Sequence, residues 1–281
     1  MRPSRIFLIF VVQAAFTLAA YAADLKPEEL IAHHLDSIAT AEARAAAKSR
    51  AVQGKLVFKV LVGGGGTVDG TWGRVSEAHK SNFVMRFGLG DYRGEQFVYD
   101  GNKTYIAAET ASHQKSAFGR FVQTQDYILK EGLLGGELST AWALQNLDDS
   151  HPKLYNAGLK KVDGKQLYDL EYHSKHSDDL QIHIYFDPET FHHVKTLYSM
   201  AVMPNMGKTV TSSVNQQEIR YTIEERFSDF KTDNGMTLPT TYSLEFTQET
   251  QSGRTTVLHW DMTATQTVDN IGLDPKNFDT H

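Results

Sequence analysis

SAFGRFVQTQDYILKEGLLGGELSTAWALQ, residues 116–145, is the stretch whose reading decides the fold. Phe118, Phe121, Val122 and Ile128 recur near helical spacing, Gly132, Gly135 and Gly136 interrupt, and Leu138, Ala141 and Trp142 resume the pattern. On both sides, from Val52 to Glu109 and from Lys153 to Thr267, the chain reads as strands. A short, very apolar helical pair set among strands must cover something. The expectation is a lid over the open mouth of a curved sheet, with the three glycines as its hinge.

Working outward, the strand signal is alternation. Upstream, Leu56, Phe58, Val60 and Val62 share one face, although Val57 and Leu61 make the other partly apolar. Phe83, Met85 and Phe87 alternate with Asn82, Arg86 and Gly88; Phe97 and Tyr99 lead into the Asp100-Gly101 turn and on to Tyr105. Downstream the alternation is cleaner. Tyr168, Leu170 and Tyr172 oppose Asp169, Glu171 and His173, and Ile182, Ile184 and Phe186 oppose Gln181, His183 and Tyr185. Ile219, Tyr221 and Ile223 follow, then Tyr242, Leu244 and Phe246, then Leu258, Trp260 and Met262, each with a polar opposite face. Turns are expected at Asp163-Gly164, Asp187-Pro188, Asn234-Gly235 and Ser252-Gly253, and a long loop over Val202–Val214.

One apolar and one wet face, repeated at hairpin spacing, implies a large antiparallel sheet. The chain is therefore mainly β with helices (α+β): a half-open antiparallel β-barrel of about 11–12 strands, since so many strands curl rather than stay flat. Whether its interior is a packed core or a ligand cavity is open at this level. A leading helix is expected over Leu25–Lys48. Pro27 and the acidic Glu28 and Glu29 suit its first turn, Leu30, Ile31, Leu35 and Ile38 make its apolar face, and Thr40 is a break point.

Residues 1–22 read as a signal peptide: Arg2 and Arg5, an apolar run over Ile6–Ala20, and Ala20-Tyr21-Ala22 before Ala23. The alternative is an uncleaved anchor, for which the run is short. Residues 23–281 are then one domain, expected in the periplasm. The chain has no cysteine, which excludes disulfides, thiol catalysis, thiolate metal sites and a lipid-modified N-terminal cysteine. Removing two arginines takes the formal charge from −6 to −8. An acidic domain of this kind is a poor partner for nucleic acid or an anionic membrane surface.

Chemistry-bearing motifs are few. Gly63–Gly66 is followed by no Lys-Ser/Thr pair, and Gly207-Lys208-Thr209 lacks the first glycine of a phosphate loop, because residue 202 is Val202. There is no Gly-x-Ser-x-Gly, no His-Glu-x-x-His and no dinucleotide fingerprint. Of twelve histidines, His33-His34 and His192-His193 are adjacent pairs, and His173 and His176 have metal-like spacing but flank Lys175 at a strand end. Asp148-Asp149 and Asp178-Asp179 read as turn residues. Asn102-Lys103-Thr104 matches a glycosylation acceptor, which means little in a periplasmic protein. Hence no catalytic residue, no metal site and no cofactor is assigned.

Three phrases go further. Tyr99-Asp100-Gly101-Asn102-Lys103-Thr104-Tyr105, Phe186-Asp187-Pro188-Glu189-Thr190-Phe191, and Phe227-Ser228-Asp229-Phe230 with Asn234-Gly235-Met236-Thr237-Leu238-Pro239 resemble the recurring elements of the LolA/LolB-like superfamily of lipoprotein and lipid carriers. The resemblance spans the expected mature chain: helix, strands, helical insertion, strands. It implies a half-open barrel wrapped on a helix, with a helical lid over a cavity for acyl chains. It also implies an early-strand arginine holding the lid shut; Arg74 and Lys80 lie in that neighbourhood without aligning cleanly. The extra length falls at Gly63–Gly66 and Met203–Val214.

The expected function is non-enzymatic: a periplasmic carrier that binds acyl chains of lipids or lipoproteins and passes them toward the outer membrane. Its partners would be lipid or acylated lipoprotein and membrane-bound donor and acceptor proteins, and it would act as a monomer. The lipid-binding assignment comprises Phe118, Phe121, Ile128, Leu133, Leu134 and Trp142 on the lid. On the wall it comprises Phe58, Val60, Phe83, Met85, Phe87, Ile182, Ile184, Tyr242, Leu244 and Phe246. For each residue, plain core packing is the competing reading. Two other functions stand beside it: a lipid-sensing adaptor that signals through a protein partner, and, with least support, a cavity hydrolase.

Overall fold

The computed structural model describes residues 25–88, 92–108, 114–176, 179–203 and 218–279. The signal peptide expected at 1–22, residue 178 of the aspartate pair, the Gly207-Lys208-Thr209 phrase and the 203–214 loop beyond Met203 lie outside them.

The leading helix forms in two pieces, α1 (Pro27–Ile38) and α2 (Ala41–Ala46). The break is at Thr40, whose side chain accepts a hydrogen bond from the Ala43 amide and so caps the second piece. Leu30, Ile31, His34 and Ile38 form the buried face of α1. His34 is therefore a core residue on a helix.

Twelve strands follow: β1 (Ser49–Val62), β2 (Thr67–Glu77), β3 (Lys80–Phe87), β4 (Gly94–Tyr99), β5 (Thr104–Ala108), β6 (Lys153–Val162), β7 (Lys165–His173), β8 (Gln181–Phe186), β9 (His193–Val202), β10 (Ile219–Asp233), β11 (Met236–Thr250) and β12 (Thr255–Asp269). All neighbours are antiparallel, in the order β5-β4-β3-β2-β1-β12-β11-β10-β9-β8-β7-β6. The sheet is open, with β5 and β6 at its edges. Two meanders are joined where the first strand pairs with the last, Phe58 opposite Trp260.

The sheet curls strongly. Phe83 on β3 and Tyr242 on β11 are four strand steps apart, about 19 Å across a flat sheet at the usual strand spacing. Their ring centroids lie 6.4 Å apart. Register explains which side is concave: Tyr172, Ile182, Tyr198, Ile223, Phe246, Leu258 and Val60 form one cross-strand row over seven strands, and all point inward. Close approach at the fold's seam requires Gly54, where a Cβ would lie 1.9 Å from the Thr263 carbonyl oxygen and 2.8 Å from Trp72 Nε1.

Between β5 and β6 lies the insertion: α3 (Ala117–Thr124), α4 (Tyr127–Lys130), 3-10 turns at Gly136–Leu138 and Ala143–Gln145, and α5 (Leu147–Ser150). Here the structure corrects the sequence reading. After the glycines no second long helix resumes; Leu138 sits in a 3-10 turn and Trp142 precedes another. Gly132, Gly135 and Gly136 all have positive φ, which breaks α-helical continuity.

Gly54→Ala is expected to lower stability by about 2–3 kcal/mol, because the clash is with backbone rather than a movable side chain. Gly65→Ala, where an added Cβ meets nothing within 4 Å, should stay within about 0.5 kcal/mol of the parent. Urea unfolding midpoints of the two variants check this.

Candidate functional site

The insertion does not stand over the sheet; it is packed into it. Phe118 meets Phe97, Phe246 and Trp260 at ring distances of 5.2, 5.9 and 5.3 Å. Phe121 meets Tyr221 and Phe246 at 5.0 and 5.8 Å. Trp142 stacks on His193 at 5.1 Å. All sixteen residues of the lipid-binding assignment belong to one hydrophobic cluster, fifteen of them buried and Val60 partly so. Among the described residues, five surface clefts of about 180–760 Å³ are lined by none of the sixteen. In this conformation the concave side is filled by the insertion's own side chains.

What fastens the insertion is polar, and these residues were not part of the sequence assignment. Glu225 on β10 occupies a cross-strand row that is otherwise mostly apolar, between Leu244 and Thr196. It is fully buried and accepts hydrogen bonds from Tyr242 Oη (2.6 Å), Tyr198 Oη (2.7 Å) and the Gly135 amide (2.7 Å). Burial pushes its carboxyl up from the usual range, against the pull of these three donors. Tyr242, assigned to the acyl wall, is thus also a polar contact. Beside it Arg74 donates from Nη1 to the Leu134 carbonyl at 2.7 Å and lies over the Phe83 ring at 5.1 Å. Burial lowers the Arg74 pKa, opposed by Tyr242, Glu225 and Tyr198. A Cβ on Gly135 would come 2.6 Å from the Arg74 guanidinium carbon, so glycine is needed there for contact as well as for its φ of 79°.

A second group holds the next turn. Arg50 pairs with Asp269 at 2.7 Å and donates from Nη1 to the Glu137 carbonyl at 2.6 Å. The Glu137 carboxylate meets His193 Nδ1 at 2.8 Å, and His193 Nε2 meets Thr196 Oγ1 at 2.7 Å. Burial alone would raise the Glu137 pKa; the charge and hydrogen bond of His193, with His34, outweigh it and lower it. Trp142 Nε1 donates to His34 Nε2 at 3.1 Å, and His34 Nδ1 faces the Phe191 carbonyl at 3.1 Å. One ring nitrogen accepts and the other donates, so the arrangement requires neutral imidazole. Burial accordingly depresses the His34 pKa to about 4, with Glu137 opposing.

Two further carboxylates pin the insertion's start and middle. Glu95, on β4, accepts from the Ser116 amide (2.6 Å), Ser116 Oγ (2.7 Å) and Tyr92 Oη (3.0 Å). Ser116 Oγ in turn accepts from the Gly119 amide and caps α3. Burial raises the Glu95 pKa, against the Ser116 and Tyr92 bonds. Glu131 of the insertion accepts from Tyr172 Oη on β7 at 2.7 Å and from Ser174 Oγ.

Of the two basic residues named from the sequence, Arg74 is the one that contacts the insertion. It holds the insertion by a main-chain carbonyl; Lys80 instead lies over the Phe278 ring. A sequence signal existed for part of this set. Arg74 and Glu225 fall on the inward phase of their strands, with Trp72 and with Ile223 and Phe227, and His34 falls on the apolar phase of α1.

No protein-family model and no curated protein sequence matches the chain. Solved structures do. A DUF1329 family protein from Desulfovibrio piger is 13% identical over 91% of this chain and 98% of its own, with a TM-score of 0.48. The LolA superfamily protein NE2245 from Nitrosomonas europaea is 13% identical over the same shares, 91% and 98%, with a TM-score of 0.42. MucB of Pseudomonas aeruginosa, in a structure of the MucA/MucB complex, is 10% identical over 86% of this chain and 99% of its own, with a TM-score of 0.23.

Two outcomes are expected from these contacts. Arg74→Ala, which leaves the Leu134 carbonyl unpaired, should cost about 2–4 kcal/mol and speed amide hydrogen exchange over 133–142 more than in the strands. The His34 contribution has a defined sign. With the folded pKa depressed to about 4, the unfolded chain binds the extra proton first, so stability is lost as pH falls from about 6.5 toward 4. The full effect is on the order of 3 kcal/mol. Glu137, lowered, adds to acid destabilisation; Glu95 and Glu225, raised, oppose it. Comparing unfolding free energies of the parent and His34→Gln at pH 7 and pH 4.5 isolates the histidine: the parent should lose more.

Proposed function

We propose that the protein is a non-enzymatic carrier whose insertion, residues 116–145, is a displaceable plug. It yields the concave side of the sheet to the acyl chain of a lipid or acylated protein. The observation that carries this reading is that the six lid side chains all lie inside the sheet against the wall set, while the polar ties are hydrogen bonds to single groups: the Leu134 and Glu137 carbonyls, the Ser116 and Gly135 amides, and the Trp142 indole.

Magnitudes favour exchange. Burying six large apolar side chains contributes about 9–18 kcal/mol at about 1.5–3 kcal/mol each. A single acyl chain of about 14–16 methylenes gains about 11–13 kcal/mol at about 0.8 per methylene. The two occupants of the same apolar space are comparable, which is what reversible loading and release require. Arg74, Arg50, Glu95 and Glu225 then set the bias toward the closed state. The carrier acts in the periplasm if residues 1–22 direct export, and hands its cargo between membrane-bound partners. No helix among the described residues is long and apolar enough to cross a membrane.

The adaptor alternative needs an accessible sheet edge for a partner strand. The β6 edge is bulged between Asn156 and Leu159 and carries Lys153, Lys160 and Lys161, features that discourage strand addition. That edge therefore gives the adaptor reading no support, and the packing of the insertion against the wall set favours the carrier.

The decisive experiment is native mass spectrometry and lipid extraction of the protein purified from periplasm, followed by titration with a fluorescent fatty-acyl probe. Co-purified acyl lipid, or saturable uptake of the probe, is expected. A protein that is empty and takes up no probe ends the carrier reading. Trp142→Asp should change probe uptake; unchanged binding would remove the insertion from the site.

A further inference from the structure

On the convex side of the sheet, away from the insertion, three side chains converge. Asp169 and Glu171 are two residues apart on β7 and point to the same outer face. His183 on β8 lies directly opposite Glu171 and diagonal to Asp169, which pairs with Tyr185. His183 Nδ1 is 2.9 Å from Asp169 Oδ1, and one ligand atom from each of the three residues lies within 4.8 Å of the others. Asp169 is buried, whereas Glu171 and His183 are half-buried. The cluster is closed toward the sheet and open toward solvent. One strand position further on the same face, His173 Nε2 is 3.6 Å from Glu171 Oε2 and is exposed.

We propose that Asp169, Glu171 and His183 form a binding site for a divalent first-row transition metal of the zinc type. Two carboxylate oxygens and an imidazole nitrogen are the donor set such borderline ions take, at about 2.0–2.2 Å from the metal. Tetrahedral ligands at such distances lie about 3.4 Å apart. Separations of up to 4.8 Å must therefore close by as much as about 1.4 Å, and the 2.9 Å His183–Asp169 contact must open slightly. Glu171 and His183 are half-exposed on the solvent side, where such movement is possible. His173 is placed to supply a fourth ligand by rotation, or to leave that position to water. The site differs from the His173/His176 spacing visible in the sequence: His176 lies near Glu131 instead. It is independent of the acyl-carrier reading, because the sheet separates it from the interior. A bound ion would staple β7 to β8. Lys160 of β6 is the nearby positive charge that opposes it.

The competing account is an ion pair only, with His183 protonated against Asp169. Isothermal titration of the untagged protein with zinc chloride distinguishes the two. The chain has twelve histidines, so variants must identify the site. The parent should take up one equivalent, and His183→Ala and Glu171→Gln should each weaken that uptake about tenfold or more. Circular dichroism spectra and melting without metal should show both variants folded, and zinc should raise the melting temperature of the parent but not of His183→Ala. No uptake by the parent, or uptake unchanged in both variants, overturns the proposal.

Discussion

A carboxylate placed in an apolar row costs several kcal/mol unless donors satisfy it. Glu225 is such a carboxylate, and the rest of the interior is arranged around its needs. Two donors, Tyr198 and Tyr242, come from the neighbouring strands β9 and β11. The third is the Gly135 amide, which belongs to the insertion. The sheet's buried charge is therefore fully served only when the insertion is seated. Arg74, sharing the same pocket and donating to Leu134, has the same dependence. Folding of the sheet and docking of the insertion are coupled through these two side chains.

That coupling changes the meaning of the glycines. Gly132, Gly135 and Gly136 suggest a hinge from sequence alone. In place, an added Cβ at Gly132 would meet the Ala141 carbonyl oxygen at 1.7 Å, and at Gly136 the His193 ring at 2.8 Å. Gly135 and Gly136 lie against Arg74 and His193, whereas Gly132 lies against the insertion's own backbone; all three have positive φ. A side chain at Gly135 or Gly136 would press on Arg74 or His193, and one at Gly132 would disrupt the insertion's own turn.

A plug held this way differs from a lid. A lid excludes water from a standing cavity; here the insertion is itself the apolar content of the curved sheet. The interior side chains form one buried apolar cluster, and polar contacts tie the insertion to separate partners on β1, β2, β4, β7, β9, β10 and α1. Such contacts are individually modest and break one at a time, whereas the sheet is held by continuous ladders. Under the proposed carrier reading, an entering acyl chain would have to offset the apolar burial lost when the insertion is released, so that release costs less than global unfolding.

Much of the architecture was legible in one dimension because it depends on short-range periodicity. Alternation over Ile182–Phe186 and Tyr242–Phe246 set strand faces, Asn234-Gly235 and Asp163-Gly164 marked hairpin turns, and Thr40 marked the break between α1 and α2. The candidate wall and insertion residues were legible too, as apolar positions. Their packing was not: whether Phe118 covers a void or fills it depends on the sheet's curvature, a property of twelve strands together. The latches were least visible, since Gly135 and Glu225 are 90 residues apart in sequence and Arg74 and Leu134 are 60. A charged residue on an inward phase looks like an exception until the opposing backbone is present. The same holds for Glu171 and His183, which only cross-strand register makes neighbours. The sequence by itself determined strand faces, turns and the apolar character of the insertion. Tertiary structure alone decided what the insertion occupies and what holds it, because buried polar groups choose partners by distance in space.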